Sequence, residues 1–212
     1  MRKFLTQVIK RLIFDNKCSV CKEQLIKNEE YICEKCFFKL KEKNNLKKIG
    51  NKYHIYEYDG EIRELLKNFK LKNRKNISKK LALLVGQKIK YIKEIENIDF
   101  IIPVPLNLNR YLERGFNQVE EILKESDIEF ISIERVKNTK YMYGLKGKKE
   151  RIENLDRAFS INVDLTGKTI LLVDDILTTG ATIEEITREI EKKYIIKNIF
   201  VFTVALALKS KK

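Results

Sequence analysis

Long apolar runs are absent from this 212-residue sequence, and no stretch approaches the roughly 20 apolar residues that cross a bilayer as a helix. Residues 1–14 mix apolar side chains with basic ones and contain no small-residue cleavage site, which predicts a short amphipathic helix and not a signal peptide. We therefore expect a protein of the cytoplasm, where thiols stay reduced, that does not span a membrane. Internal repeats, low-complexity tracts and long linkers are absent as well.

Histidine and proline are scarce. His54 is the only histidine, and nothing near it in the sequence indicates a catalytic role. Pro103 and Pro105 are the only prolines, and both stand at the carboxyl end of residues 99–105, a stretch typical of a buried strand. Because the proline ring fixes the backbone φ angle, these two residues would stiffen the loop after that strand.

Only four cysteines are present, and they form two CxxC pairs, Cys18 with Cys21 and Cys33 with Cys36. Each pair can place two thiolates on one metal ion, and the 11 intervening residues let the pairs meet. Disulfides are the alternative, but the reducing cytoplasm disfavours them. The spacing predicts a structural Zn²⁺ site with four protein ligands, which leaves no position open for a catalytic water.

Positive charge is concentrated in one half of the chain. Residues 1–95 carry 25 Lys and Arg against 11 Asp and Glu, whereas residues 96–212 carry 19 of each, so the first part accounts for the whole net charge of +14. Lysine outnumbers arginine 34 to 10, as an AT-rich coding bias would produce, but such a bias does not by itself explain the asymmetry. A polyanionic partner such as single-stranded DNA is the other explanation.

The candidate nucleic-acid contacts lie at the end of a predicted helix and in the strand before it. The helix starts at Asp59 or Gly60. Its apolar face would comprise Ile62, Leu65, Leu66 and Phe69, and a second helix is predicted over Ile77–Ile95. The basic residues at the end of the first helix are Lys67, Lys70, Lys72, Arg74 and Lys75. The strand before it supplies aromatic rings that can stack on bases, namely Tyr53, Tyr56 and Tyr58. A solvated helix end, where positive charge is favourable, and a set of core aromatics are the alternatives.

The pattern of residues 170–182 predicts a strand, a turn and the start of a helix. Four apolar residues, 170–173, suit a strand buried on both faces, and Asp174 and Asp175 follow at its carboxyl end. A turn of small hydroxyl residues and Gly180 comes next, and Ile183, Ile186 and Ile190 then recur at helical spacing. The free N–H groups of the turn and helix start can bind an anion, while the acids can bind sugar hydroxyls or hydrated Mg²⁺.

All thirteen positions of this stretch resemble the phosphoribosyl pyrophosphate (PRPP) signature of type I phosphoribosyltransferases. The resemblance implies that the acid pair holds the ribose and is catalytic, and that the turn holds the 5′-phosphate. The implied PRPP-binding residues are Asp174, Asp175, Thr178, Thr179, Gly180, Ala181 and Thr182. An ordinary strand-to-helix turn with acidic and hydroxyl caps is the plain alternative.

Further motifs narrow the resemblance to the ComF family: the PVPL run at residues 103–106, RGFNQ at 114–118, the CxxC pairs and YDG at 58–60. The resemblance implies a role in natural transformation and a pyrophosphate-side loop containing Pro103, Val104, Pro105, Leu106, Arg114, Asn117 and Gln118. It also implies a lid over PRPP within residues 139–157, with Lys146, Lys148, Lys149 and Arg151 as its cations. Met142 stands where the family usually has glutamine.

These patterns predict an α/β fold, type I phosphoribosyltransferase-like, with a mostly parallel sheet flanked by helices. We expect an N-terminal helix and zinc module at residues 1–48 and the phosphoribosyltransferase-like domain at 49–212. Two functions compete: transfer of phosphoribose from Mg²⁺-bound PRPP to an amine, and non-catalytic binding of single-stranded DNA together with other DNA-uptake proteins. Since little chain follows the last predicted strand, we expect the zinc module to pack over the carboxyl edge of the sheet and form one wall of the site.

Overall fold

The structure, a computed structural model, describes residues 17–26, 29–71, 74–135, 159–160 and 163–207. Its helices are α1 (Glu34–Glu42), α2 (Gly60–Phe69), α3 (Ile77–Ile95), α4 (Leu108–Arg114), α5 (Gln118–Glu125) and α6 (Ala181–Lys193). Its strands are β1 (Lys47–Ile49), β2 (Lys52–Glu57), β3 (Phe100–Pro103), β4 (Glu134–Arg135), β5 (Phe159–Ser160), β6 (Thr169–Leu177) and β7 (Asn198–Leu206).

Five strands form one sheet in the order β1-β2-β7-β6-β3, and β4 pairs with β5 separately. The neighbours from β2 to β3 are parallel, and only the edge strand β1 runs antiparallel. The carboxyl ends of β2, β7, β6 and β3 therefore meet at one edge, which is where ligands bind in open α/β sheets. This mostly parallel sheet flanked by helices confirms the predicted fold class.

The helices follow the apolar periodicity of the sequence. Helix α3 has the predicted bounds, and the predicted face of α2 is buried throughout, with Leu65, Leu66 and Phe69 fully inaccessible to solvent. Strand β6 is longer than predicted: it continues through the acid pair to Leu177, because Asp174 pairs with Thr203 and Ile176 with Ala205 on β7. The acids therefore lie within the strand and not after its end.

Side chains of β6 alternate between two hydrophobic clusters, one on each face of the sheet. Leu171 and Val173 belong to the cluster formed with α2, α3 and α5, whereas Ile170 and Leu172 belong to the cluster formed with α6. This burial on both faces is the predicted one. The cysteine-bearing segment, residues 17–42, packs into the first cluster through residues such as Cys36 and Leu40.

The stretch at residues 43–50, which includes the expected domain boundary, contains the edge strand β1. Lys47 pairs with His54 and Ile49 with Lys52 on β2, so the start of β1 lies on the amino-terminal side of the expected boundary at residue 49. Of the helices that the structure describes, none is both long and apolar enough to cross a bilayer.

Candidate ligand site and metal centre

A cavity of about 340 Å³ opens at the carboxyl edge of the sheet, between the ends of β2, β3 and β6. It is lined by residues 174–183 and by Tyr58, Lys70, Val104, Pro105, Leu106, Asn107, Arg110, Arg114, Asn117, Gln118 and Val119. The structure thus brings the PRPP-like segment and most of the implied pyrophosphate-side residues to one space. Pro103 is the exception, because it ends β3 as a buried strand residue and does not line the cavity.

The acid pair occupies the middle of the cavity wall. The backbone N–H of Asp175 donates to Oδ1 of Asp174 at 2.8 Å. Burial, and next the charge of Asp175, raise the pKa of Asp174 to about 7. A site where Asp174 resists ionisation favours a cation or hydroxyl donors, since either would stabilise its carboxylate.

Lys70 supplies one such cation from the protein itself. Its Nζ lies 3.1 Å from Oδ2 of Asp175, and the Asp175 side chain is 14% exposed. This ion pair places the Asp175 side chain beside the end of α2, which Lys70 follows. The sequence predicts Lys70 both as a nucleic-acid contact and as one of the lysines within reach of phosphates at the mouth of the cleft, and the structure places it in the cavity wall.

The turn between β6 and α6 has the geometry of an anion site. Gly180 is the N-cap of α6 with a φ angle of 81°, in the left-handed region, and it has no side chain to occupy the N–H groups of the first turn. The hydroxyl of Thr179 accepts from the N–H of Ala181 at 3.4 Å. The positive end of the α6 dipole therefore faces the cavity together with the hydroxyls of the turn.

Hydrogen bonds stabilise the wall of the cavity that lies opposite the turn and is formed by Val104, Arg114 and residues 117–119. Asn117 caps α5 by accepting from the N–H of Val119 at 2.9 Å, and its Nδ2 donates to the carbonyl of Val104 at 3.1 Å. Arg114 donates from Nη1 to Oε1 of Gln118 at 2.7 Å. These bonds join RGFNQ to the PVPL loop, so the two motifs form one wall.

Outside residues 174–183, four lining residues had no predicted role at this site: Tyr58, Asn107, Arg110 and Val119. Arg110 lies one turn before Arg114 on α4, a seven-residue helix that buries none of its residues and was not among the predicted elements. Asn107 caps that helix by accepting from the N–H of Arg110 at 2.9 Å. The N-cap asparagine, followed by Leu108, Tyr111 and Leu112 at helical spacing, was an available signal for it.

The other described residues of the expected nucleic-acid patch each have a partner within the protein, and nucleic-acid binding by the patch stays a prediction. Lys67 pairs with Glu64 at 3.0 Å, Lys75 pairs with Glu121 at 3.0 Å, and the guanidinium of Arg74 lies 5.6 Å from the ring centroid of Tyr31. Lys72 and the expected lid residues Lys146, Lys148, Lys149 and Arg151 lie outside the described residues.

Base stacking on Tyr53 and Tyr56 is contradicted by their burial, because they are only 3% and 4% exposed. The Tyr53 hydroxyl donates to Glu96, and the Tyr56 hydroxyl donates to the carbonyl of Leu40. Tyr58 differs from both, since it is half-buried and lines the cavity. The aromatic strand is thus mainly part of the core.

The four cysteines converge on one point, with their sulfur atoms within 4.8 Å of one another. Sγ of Cys21 and Sγ of Cys33 are 3.7 Å apart, far beyond a disulfide bond of about 2.05 Å. They match the separation of about 3.8 Å that follows for two ligands of a tetrahedral Zn²⁺ with bonds of 2.3 Å. All four thiols are free, and the donor set therefore fits a metal ion.

Backbone amides support ionisation of Cys18, whereas burial is the largest cause of the raised pKa values of Cys21 and Cys36. Burial opposes ionisation of Cys18, but the N–H groups of Cys33, Cys21 and Val20 outweigh it and lower the pKa of the thiol to about 7. Two of these bonds, from Val20 and Cys33 to Sγ of Cys18, measure 3.4 Å each. A thiolate is the form that binds metal, so the amides favour the binding state.

The cysteine-bearing segment contacts α2 close to the ligand site. Asn68 donates from Nδ2 to the carbonyl of Ser19 at 3.1 Å, and Asn68 lies two residues before Lys70. Among the described residues, none from the cysteine-bearing segment lines the cavity. The expectation that the zinc module forms one wall of the site is therefore wrong for residues 17–26 and 29–48, whereas its expected packing over the carboxyl edge stays a prediction.

Comparison with known proteins identifies the family. A model of the phosphoribosyl transferase domain matches residues 115–209. Competence protein F of Haemophilus influenzae is 30% identical over 187 residues, which cover 82% of this chain and 78% of that protein. The chain belongs to the ComF family of phosphoribosyltransferase-like proteins.

Two further relatives of this ComF-family chain match over shorter lengths. Competence protein ComFC of Streptococcus pneumoniae is 30% identical over 139 residues, covering 65% of this chain and 60% of that protein. DNA utilization protein YhgH of Shigella flexneri is 26% identical over 145 residues, covering 63% of each. Family membership confirms the resemblance drawn from the motifs.

Replacing Asp174 by asparagine should raise the free energy of unfolding at alkaline pH. The folded-state pKa of about 7 lies above the ordinary value of 3.8, so protonation of Asp174 favours the folded state. The resulting stabilisation of the folded state is complete when the pH is below the ordinary pKa of 3.8, and it is lost as the pH rises through 7. Asparagine avoids the loss while still accepting from the Asp175 N–H. Allowing for the nearby Lys70 charge and for solvent, we expect a gain of about 1–3 kcal/mol at pH 8.

Denaturant unfolding of the wild type and Asp174→Asn at pH 8 and pH 5 checks this expectation. The gain should be clearly smaller at pH 5, where the wild-type carboxyl is already protonated in the folded state. An equal effect at both values would show that the acid is not held near neutrality by its surroundings.

Proposed function

We propose that this ComF-family chain binds PRPP together with Mg²⁺ in the cavity at the carboxyl edge of the sheet. The observation that carries the proposal is the convergence, in one space, of the acid pair of β6, the hydroxyl turn at the α6 N-terminus and the guanidinium of Arg114. These groups suit the three parts of PRPP: a ribose diol, a 5′-phosphate and a diphosphate. The acids also fit Mg²⁺, which prefers carboxylate oxygens, and whose charge would ease the joint ionisation of Asp174 and Asp175.

The same arrangement suits transfer of the phosphoribosyl group. Pyrophosphate would leave the ribose C1 with the bonding electrons, and an amine would form the new bond while losing a proton. The transition state at C1 is cationic, and this chemistry needs placed charges more than a nucleophile. Asp174 and Asp175 would hold the ribose, and Arg114 would stabilise the charge that develops on the leaving group. Bound Mg²⁺ would supply further neutralisation of the diphosphate.

The proposal extends to the metal centre and the cell compartment. The four cysteines would hold Zn²⁺ in a structural role, since all four positions of a tetrahedral ion are then filled by protein. Free thiols so close together persist where the environment is reducing, which supports action in the cytoplasm.

Asp175→Asn should weaken the binding of Mg²⁺-PRPP. The substitution removes one charge from the acid pair, and hydrogen bonds that involve a charged group contribute about 1.5–3 kcal/mol, so we expect a loss of roughly ten- to a hundredfold in affinity. Titration calorimetry with PRPP and Mg²⁺ measures the effect. The matched control is Asp164→Asn, which changes an exposed carboxyl that accepts from the Thr166 N–H outside the cavity.

The control variant should bind PRPP as the wild type does. If Asp175→Asn also binds normally, the ligand does not use the acid pair and the site is assigned wrongly. If the wild type shows no heat with PRPP, the proposed function itself fails. A screen for pyrophosphate release with candidate amine acceptors then separates transfer from binding alone.

A second candidate function is binding of single-stranded DNA during DNA uptake, with the PRPP fold in a regulatory or structural role. Relatives that are named competence and DNA utilization proteins favour it. So does the concentration of the net charge of +14 in residues 1–95. The ion pairs of Lys67, Lys70 and Lys75 reduce the free charge of the expected patch.

If this part of the chain binds single-stranded DNA through phosphates, its affinity should fall with salt. The slope of log affinity against log salt should be about −0.7 for each phosphate contacted. Fluorescence anisotropy of a labelled oligonucleotide between low and physiological salt measures it. Binding that is absent at low salt, or that does not depend on salt, would leave coding bias as the explanation of the charge.

A further inference from the structure

One ion pair connects the acid pair to a helix that the PRPP-like motifs do not include. Lys70 follows α2 directly, and its ammonium lies 3.1 Å from the Asp175 carboxylate, with side-chain exposures of 30% and 14%. Both groups line the cavity. A partly desolvated charge is costly without a partner, so Lys70 neutralises the acid pair in the free protein.

The backbone at the end of α2 is held in place. Phe69 is fully buried, and its ring centroid lies 5.6 Å from that of Phe116 in the RGFNQ segment. Asn68 donates from Nδ2 to the carbonyls of Glu64, at 2.9 Å, and Ser19, at 3.1 Å. The ammonium of Lys70 can therefore move on its flexible side chain while its Cα stays beside the Arg114 wall.

That wall already presents donors for an anionic ligand. Arg114 is oriented by Gln118, whose Oε1 accepts from it at 2.7 Å. Nε2 of the same Gln118 is buried and has no hydrogen-bond partner in the described part of the chain. A buried amide without a partner is costly, and an acceptor oxygen of a ligand in the cavity would satisfy it.

We propose that Lys70 is a ligand-binding residue that exchanges partners, pairing with Asp175 in the free protein and with the diphosphate arm of the ligand in the complex. A divalent cation at the acid pair repels the ammonium, and the diphosphate beside Arg114 attracts it, so no buried charge is left unpaired at either stage. The inference rests on the proposed function and adds a residue from α2 to the diphosphate side of that site.

Calorimetry of Lys70→Met tests the exchange with three ligands in the presence of Mg²⁺: PRPP, inorganic pyrophosphate and ribose 5-phosphate. Because the variant loses a charge-assisted contact, its affinities for PRPP and for pyrophosphate should fall by about ten- to a hundredfold. The affinity of the variant for ribose 5-phosphate should stay within about twofold of the wild-type affinity, since this ligand lacks the diphosphate. Lys70→Arg should retain most of the affinity for pyrophosphate because it keeps the charge.

The matched control is Lys67→Met, one turn earlier on α2, where the lysine pairs with Glu64 and does not line the cavity. It should bind all three ligands as the wild type does. Mg²⁺ alone should bind more tightly to Lys70→Met than to the wild type, because the competing ammonium is gone. Thermal unfolding verifies that each variant is folded, and Lys70→Gln replaces Lys70→Met if the latter is not.

Three results would overturn the inference. Unchanged pyrophosphate binding in the folded Lys70→Met variant would show that the ammonium does not reach the diphosphate. An equal loss for ribose 5-phosphate would place Lys70 at the 5′-phosphate instead. Weaker binding of Mg²⁺ alone would show that Lys70 does not compete with a cation at the acids. A wild type that binds none of the three ligands would instead contradict the proposed function.

Discussion

Cys33→Ser is expected to lose the bound zinc and to lower the free energy of unfolding by roughly 3–5 kcal/mol. Cys33 is 7% exposed, its sulfur faces that of Cys21 at 3.7 Å, and its N–H donates to Sγ of Cys18. Serine is a poor zinc ligand, and three thiols would then remain around an incomplete tetrahedron. The effect should be large because the cluster packs into the same core as α2 and α3.

Metal analysis and thermal unfolding, each with and without a chelator, measure this effect. The wild type purified without chelator should contain close to one zinc per chain, and the chelator should destabilise it but hardly affect the variant. Ser19→Ala is the matched control in the same segment, because the buried hydroxyl of Ser19 has no hydrogen-bond partner within the described ranges. Wild-type protein that contains no zinc would contradict the metal assignment.

Gly180→Val is expected to abolish measurable PRPP binding, a loss of more than about a hundredfold. The φ angle of Gly180 is 81°, and the left-handed region costs about 1–2 kcal/mol for residues with a Cβ and more for a β-branched one. Room is not the obstacle, because the nearest atoms to an added Cβ, in Glu184 and Leu177, are 3.8 and 3.9 Å away. Backbone strain would instead change the conformation of the turn and displace its hydroxyl and N–H groups.

Gly167→Val provides a control with the same kind of strain. Gly167 has a φ angle of 72° and open space around its Cα, but it lies before β6, away from the cavity. We expect this variant to lose stability comparably while its folded fraction binds PRPP normally by calorimetry. Normal PRPP affinity in folded Gly180→Val would mean that the turn does not hold the 5′-phosphate.

The sequence alone determined the features that depend on local periodicity and spacing. Helix α3 has the predicted bounds, Ile77–Ile95, because its apolar residues recur at helical intervals between polar ends. The apolar face of α2 was evident for the same reason. The two CxxC pairs predicted a common cluster, since each places two sulfurs on one side of a short turn. The strand, acid pair and hydroxyl turn were sufficient to indicate the family.

The tertiary structure decided what depends on neighbours that are distant in the sequence. The extension of β6 through Asp175 required pairing with β7, which no property of residues 174–177 indicates. The sequence did not show that the lysine after α2 would pair with an acid, because Asp175 stands 105 positions later in the chain and only the fold brings the two together. Burial likewise separated Tyr53 and Tyr56 from Tyr58. Charge and aromatic character belong to the residue itself. Which partner such a side chain contacts depends on packing, because packing determines which groups are removed from water together.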